Sequence, residues 1–202
     1  MNDKKISVRK MTVTAIMAAI SAVLMFLEFS VPLVPSFLKF DFSDLPAVIT
    51  AFAVGPVWGV VVELLKNLLH LPFTHTGGVG ELANFIIGAL LVFPAGLIYK
   101  FKKDRAGALI GSLAGALTAA AVSIPVNYFI TYPFYTNFMP MEAIIGMYQA
   151  IVPAADTLIK ALVIFNVPFT FVKGLVCVVI TFLIYKKLSP VIKGQKAKNE
   201  QS

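Results

Sequence analysis

Long apolar segments with few charged side chains constrain this chain more than any other feature. Four are clear, at residues 11–29, 81–100, 107–132 and 167–186. A helix of about 20 residues crosses the ~30 Å hydrocarbon core of a bilayer, and these segments have that length. Hydrophobic residues make up 58% of the 202 positions, with a mean hydropathy of +0.86. The sequence therefore predicts an all-α integral membrane protein that forms one membrane domain, residues 1–202.

Basic residues lie in clusters beside these segments. The chain has 17 lysines and arginines and a net charge of +7. Most of them fall into three clusters: Lys4, Lys5, Arg9 and Lys10; Lys100, Lys102, Lys103 and Arg105; and Lys186, Lys187, Lys193, Lys196 and Lys198. Cytoplasmic loops carry such clusters under the positive-inside rule. We therefore predict that these charges orient the protein, with both termini in the cytoplasm, and that they bind no nucleic acid.

The segment between residues 44 and 70 contains a break at Gly55-Pro56. Proline disfavours helical geometry in the residue before it, and glycine tolerates a tight turn. A single crossing here would also place the second basic cluster outside. We therefore predict two short helices, 44–54 and 57–70, and treat residues 133–166 as an external loop with a short helix. The predicted fold has six transmembrane helices, cytoplasmic termini and long external loops.

Polar side chains interrupt the apolar sequence between residues 39 and 84. They are Lys39, Asp41, Asp44, Glu63, Lys66, Asn67, Glu81 and Asn84. Ionisable groups near a bilayer are costly to bury and usually mark a binding or transport site. Glu63 and Lys66 lie three residues apart and fit a structural pair equally well. The two ends of this stretch are therefore the stronger ligand-site candidates.

Motifs of catalysis and metal binding are missing from the sequence. It has no phosphate-binding loop, no HExxH and no GxSxG. His70 and His75 have no carboxylate at zinc-ligand spacing, and there is one cysteine. We therefore expect neither an enzyme nor a metal or other cofactor. Energy for transport would come from a partner or an ion gradient.

Small residues recur at helical spacing in two of the long segments. Ala15, Ala18, Ala19 and Ala22 lie at intervals of three and four, and Gly107, Gly111 and Gly115 form a ladder. Small residues let membrane helices approach closely. The glycine ladder predicts packing inside the bundle. The alanines are compatible with packing inside the bundle or with docking to another membrane subunit.

Four runs of sequence together resemble a known family. They are KFDFSDLPAVITAFAVGPVWGVVVELLKNLLH, GELANFIIG, VPFTFVKG and the alanine face of the first helix. Over essentially the whole chain they resemble the riboflavin-specific substrate-binding subunits of energy-coupling factor (ECF) transporters. The resemblance implies a high-affinity riboflavin receptor, multi-pass in a bacterial cell membrane, that associates with a transmembrane coupling subunit and two ATP-binding subunits. It also implies that Ala15 and Ala19 form the docking surface.

Riboflavin needs a flat apolar slot for its ring system and polar partners for its ring edge and ribityl hydroxyls. We predict the following ligand-binding residues: Leu38, Lys39, Phe40, Asp41, Phe42, Asp44, Gly80, Glu81, Asn84, Asn127, Tyr128, Thr170 and Lys173. Thr170 stands where related sequences tend to carry asparagine, and Lys173 either contacts ligand or snorkels to the interface.

The position of the arginines bears on which flavin is bound. Arg9 and Arg105 are the only two, and both belong to basic clusters. No guanidinium is then available on the ligand side for bidentate phosphate contacts, which disfavours FMN.

Two alternatives remain open: a subunit specific for another vitamin, and a standalone ion-coupled secondary transporter that uses Asp44, Glu63 or Glu81.

Overall fold

A computed structural model describes the backbone of residues 7–193 and the side chains of residues 7–184. Several residues of the terminal basic clusters lie outside the described residues or side chains: Lys4, Lys5, Lys186, Lys187, Lys193, Lys196 and Lys198. The described elements are, in chain order, α1 (Val8–Phe26), β1 (Phe29–Ser30), β2 (Lys39–Phe40), α2 (Asp44–Ala53), α3 (Pro56–His70), a 3-10 turn (Leu71–Phe73), α4 (Val79–Phe101), α5 (Arg105–Val126), a π-helical turn (Asn127–Thr131), α6 (Tyr132–Tyr135), α7 (Met141–Gln149), α8 (Leu158–Ala161), a second π-helical turn (Leu162–Asn166) and α9 (Val167–Lys193).

The prediction of six transmembrane helices is wrong. Among the described residues, four helical segments are long and apolar enough to cross a membrane: Val8–Phe26, Val79–Phe101, Arg105–Tyr135 and Leu158–Ile184. The two short helices do form, but α2 has 10 residues and α3 has 15. At about 1.5 Å per residue they reach about 15 and 22 Å, less than the ~30 Å of hydrocarbon. An all-α membrane protein fits, but the number of crossings does not.

The turn between α2 and α3 occurs where the sequence predicts a break. Gly55 has a φ of 135°, a conformation that favours glycine, and Pro56 begins α3. Gly59 then allows α3 to approach α2 and α4 closely, since a Cβ there would lie 2.5 Å from the Val92 side chain and 2.8 Å from the Ala47 carbonyl oxygen. The short pair is thus packed within the bundle, where its polar side chains are enclosed by protein.

The glycine ladder of α5 packs against α4, as predicted. A Cβ on Gly111 would lie 2.6 Å from the carbonyl oxygen of Ala95, and one on Gly115 would meet the carbonyl oxygen of Leu91. Without side chains at these positions the two backbones come into direct contact, which is how membrane helices pack without a hydrophobic driving force between them. This contact fixes the rotation of α4 and α5 about their axes.

The alanine stripe of α1 lies at the boundary between a buried and an exposed surface of the helix. Ala18 and Ala22 are 2% and 6% exposed and pack into the bundle, whereas Ala15 and Ala19 are exposed. Docking of another subunit at Ala15 and Ala19 stays a prediction. The inner pair serves internal packing, and the outer pair leaves a shallow exposed surface.

The last two long segments extend beyond their predicted ends. The first continues through a π-helical turn to Tyr135, and the second already begins at Leu158, within the predicted loop 133–166. Helix α7 lies between them and is held by a buried group of three side chains: Tyr148 bonds to the Tyr132 hydroxyl and donates to Asn166 Oδ1 at 2.9 Å. The predicted loop is therefore shorter than expected and well packed.

Candidate functional site

A cavity of about 650 Å³ lies between α4, the two π-helical turns, α7, α9 and the segment after β1. Small-molecule sites usually have volumes of about 300–1,000 Å³ and combine apolar walls with a few polar groups. Leu91, Ile87, Phe169 and Tyr135 are among the apolar and aromatic residues that line it. The cavity is therefore of the right size for a ligand of a few fused rings.

Most of the predicted ligand-binding residues line this cavity. They are Leu38, Lys39, Asp41, Asp44, Gly80, Glu81, Asn84, Asn127, Thr170 and Lys173. They come from the β2 region and the starts of α2, α4 and α9, together with the π-helical turn at residue 127. Their contact with a ligand stays a prediction, but the fold does bring them together.

Three predicted aromatic residues lie away from the cavity. Phe40 is buried and packs edge-on against Phe169, with ring centroids 6.0 Å apart, and Phe42 packs against Phe40 at 5.5 Å. Tyr128 is 38% exposed and contacts Phe129 instead. The aromatic wall is formed by other residues, namely Phe37, Tyr135, Phe138 and Phe169. Neighbouring aromatics on a strand or helix point to different sides, so composition alone does not distinguish them.

Lys173 lies at the floor of the cavity between two carboxylates. Its Nζ is 2.8 Å from Asp41 Oδ2 and 3.6 Å from Asp44 Oδ2, and its side chain is 11% exposed. A buried charge is tolerated when it is paired and hydrogen-bonded. Lys173 is therefore held inside the protein by its partners and does not snorkel to the membrane interface.

Lys66 forms a second, deeper part of the same charge cluster. It is completely buried and contacts Asp44 Oδ1, with Ser43 Oγ and Glu63 Oε2 each 2.8 Å from its Nζ. The structural pair of Glu63 and Lys66 thus exists, and it extends to Asp44. Although Glu63 Oε2 is close to the ammonium, neither Glu63 oxygen accepts a hydrogen bond of good geometry from any described residue. The ion pair is therefore mainly Coulombic.

Glu81 organises one rim of the cavity. Its Oε1 lies 2.9 Å from His70 Nδ1, and its Oε2 accepts hydrogen bonds from Thr74 at 2.8 Å and Thr76 at 3.1 Å. These bonds tie the segment between α3 and α4 to the start of α4. Glu81 thus supports the rim through its protein partners, and its contact with a ligand stays a prediction.

Amide side chains at the cavity wall are also held in place. Asn84 accepts a hydrogen bond from Asn67 at 3.3 Å, and Asn127 donates to the Ser123 carbonyl at 2.7 Å. Fixing one group of an amide sets the direction of the other. The cavity therefore offers preset donors and acceptors between apolar walls.

Several residues that line the cavity were not predicted from the sequence, including Asn166, Phe169 and Thr131. Asn166 precedes Thr170 by four positions and Lys173 by seven, and Thr131 follows Asn127 by four. Residues so spaced share one face of a helix. Extending the spacing by one turn would have found Asn166 and Thr131. The assignment of 133–166 to a loop concealed the helical continuity at Asn166.

Comparisons with known proteins agree with these observations. The family described as ECF transporter, substrate-specific component, matches residues 9–185. The riboflavin transporter RibU of Staphylococcus aureus (strain TCH60) is 32% identical over 185 residues, which cover 92% of this chain and 93% of the relative. The riboflavin transporter FmnP of Bacillus subtilis (strain 168) is 33% identical over 194 residues, with 94% and 97% covered.

A solved structure is also similar along most of its length. It is described as the S component of a bacterial ECF transporter and has a TM-score of 0.72 and 31% sequence identity to this chain. The similarity covers 91% of this chain and 97% of that structure. The family match, the relatives and the shared fold lead to one conclusion: this chain belongs to the family of substrate-specific components of ECF transporters, and is thus a transporter subunit and not an enzyme.

Proposed function

We propose that this chain binds riboflavin with high affinity and acts as the specificity subunit of an ATP-driven vitamin importer. The relatives of this chain named above are riboflavin transporters and span nearly all of it. The observation in the structure that carries the proposal is the cavity itself. Its aromatic and aliphatic walls surround hydrogen-bonded amide side chains and the ammonium group of Lys173, which is paired with aspartate. A flavin ring needs this combination of a flat apolar slot and a polar edge.

Lys173 serves as a hydrogen-bond donor to the ligand in this proposal. An ammonium group has three N–H donors, and the two aspartates that flank Lys173 use part of this capacity. The remaining donor suits a neutral acceptor such as a ring carbonyl or a ring nitrogen. Asn84, Asn127 and Thr170 supply further polar contacts to the ring edge or the ribityl hydroxyls.

The charge of the cavity lining favours riboflavin over its phosphate. Four carboxylates line the cavity, those of Glu28, Asp41, Asp44 and Glu81, against two ammonium groups. A phosphate monoester carries about −1.5 to −2 charges at pH 7. Like charges repel strongly at a partly dehydrated site, so FMN binds more weakly than riboflavin.

The partners of the proposed importer are a transmembrane coupling subunit and two ATP-binding subunits, in a bacterial cell membrane that this chain crosses several times. Ala15 and Ala19 are the proposed docking residues for the coupling subunit. Both are exposed on α1, at the edge of the alanine stripe whose other members, Ala18 and Ala22, are buried. Small exposed residues permit close approach of a helix from another subunit.

Titration of the purified, ligand-free protein with riboflavin tests the proposal, with flavin fluorescence as the measurement. We expect saturable quenching with one flavin per chain, and at least tenfold weaker binding of FMN, which corresponds to about 1.4 kcal/mol. Thiamine and biotin in excess serve as competitors and should not restore the fluorescence. Absence of quenching would contradict the riboflavin assignment, and displacement by another vitamin would support the alternative specificity.

A further inference from the structure

We propose that Lys66 is a positioning residue of the ligand site: it lies behind the cavity and sets the place of Lys173 by holding Asp44. Lys66 is not one of the residues that line the cavity, and its side chain has no exposed surface. The inference rests on the proposed function, because its measured quantity is flavin affinity. It adds to the ligand site a residue that acts on the ligand only through Asp44 and Lys173.

The two oxygens of Asp44 connect the two lysines. Oδ1 accepts a hydrogen bond from Lys66, and Oδ2 lies 3.6 Å from Lys173 Nζ. One carboxylate is therefore shared between a fully buried ammonium and one that lines the cavity. The position of Asp44 depends on both lysines, so a change at Lys66 reaches Lys173 through a single side chain.

Ser43 makes a second connection to the same lysine. Its Oγ accepts a hydrogen bond from Lys66 at 2.8 Å, and its backbone N–H donates to Asp41 Oδ1 at 2.7 Å. Asp41 in turn holds Lys173 with its other oxygen at 2.8 Å. Both carboxylates that clamp Lys173 are therefore held, directly or through Ser43, by Lys66.

The charge balance of the cluster shows what the loss of Lys66 would do. Three carboxylates, those of Asp41, Asp44 and Glu63, face the two ammonium groups. Without Lys66, Asp44 keeps its charge but loses its closest partner. A buried carboxylate without compensation attracts the nearest cation strongly, so Lys173 shifts from Asp41 towards Asp44 and away from its place at the cavity floor.

Two double variants separate a positioning role from a merely structural one. Lys66→Met removes the ammonium and keeps an unbranched side chain that is one atom shorter. We expect it to weaken riboflavin binding by about tenfold or more, as loss of a charge-assisted hydrogen bond would. Adding Asp44→Asn or Glu63→Gln to this variant restores the formal net charge of the wild-type cluster. Of these two carboxylates, however, only that of Asp44 lies within 4 Å of Lys173 Nζ.

Rescue should therefore depend on which carboxylate is neutralised. We expect Lys66→Met with Asp44→Asn to bind riboflavin within about threefold of Asp44→Asn alone, and Lys66→Met with Glu63→Gln to stay at least about tenfold weaker than Glu63→Gln alone. Lys160→Met is the matched control, because Lys160 forms an exposed pair with Asp156 at 2.7 Å and such pairs contribute little. It should bind like the wild type.

The outcomes separate this inference from the proposed function. Three results would overturn the positioning role: equal rescue by both substitutions, rescue by neither, or wild-type affinity in Lys66→Met. In each case, quenching of riboflavin fluorescence by the wild-type protein would still support riboflavin binding. If Lys66→Met alone does not fold, the riboflavin affinities of the two double variants test the positioning role. A wild-type protein that does not quench riboflavin overturns the proposed function and this role with it.

Discussion

Removal of the Tyr148 hydroxyl tests how α7 is held against the bundle. Tyr148 is fully buried, and its hydroxyl bonds to that of Tyr132 and donates to Asn166 Oδ1 at 2.9 Å. Burial raises the pKa of Tyr148 above its ordinary value, so the hydroxyl keeps its proton in mildly alkaline buffers. Tyr148→Phe keeps the ring and leaves Asn166 without this donor.

The expected cost follows from the burial of the group left behind. A buried acceptor that loses its donor costs about 1–3 kcal/mol. Since Ile144 and Tyr148 are the buried residues of α7, local release of this helix is the opening that such a loss favours. At about 1.4 kcal/mol per factor of ten, the population of the open form rises by about 5-fold to 150-fold.

Hydrogen–deuterium exchange measures this opening directly. In the detergent-solubilised, ligand-free protein, peptides that cover residues 141–152 should exchange faster in Tyr148→Phe by that factor, while peptides of α4 and α5 stay unchanged. Tyr128→Phe is the control, because Tyr128 is 38% exposed and contacts Phe129 at the surface. Unchanged exchange at 141–152, or an equal increase throughout the bundle, would refute the argument.

Two further predictions concern α1 and the contact between α3 and α4. Ala19→Trp should abolish uptake by the complete transporter but leave riboflavin binding unchanged, whereas Leu117→Trp, on the exposed face of α5, should affect neither. Parallel loss of binding and uptake in Ala19→Trp would count against docking at this face. Gly88→Ala should lower the midpoint of thermal unfolding, since its Cβ would meet the Glu63 carboxylate and overpacking costs about 1–3 kcal/mol. Gly146→Ala should not lower it, because a Cβ there has no atom within 4 Å; a similar decrease in both would refute the packing argument.

The long helices were predictable because hydropathy is a local property. Each apolar segment predicted at 11–29, 81–100, 107–132 and 167–186 overlaps a helix of the structure along most of its length. The break at Gly55 was also predictable, since the preferences of glycine and proline act on their own backbone. The number of crossings was not. The positive-inside rule counts charges in loops and does not register that α2 and α3 are too short and are packed within the bundle.

The candidate site was predictable where polar residues stand out against an apolar background. Asp41, Asn84 and Lys173 were found in this way, and all three line the cavity. The aromatic residues do not stand out from the apolar background in this way, because phenylalanine occurs in the core, at the lipid surface and around ligands. Phe40 and Tyr128 were accordingly predicted to contact the ligand, while other aromatic residues line the cavity in the structure.

The sequence by itself determined that this is a helical membrane protein with a broken helix and a concentrated set of polar groups, since all of these depend on neighbouring residues. Only the tertiary structure decided how the charges pair. Lys173 and Asp41 are separated by 132 positions, and Lys66 and Asp44 by 22. A buried charge must find its partner in space, and that partner is set by the packing of α2, α3 and α9, which no local pattern records.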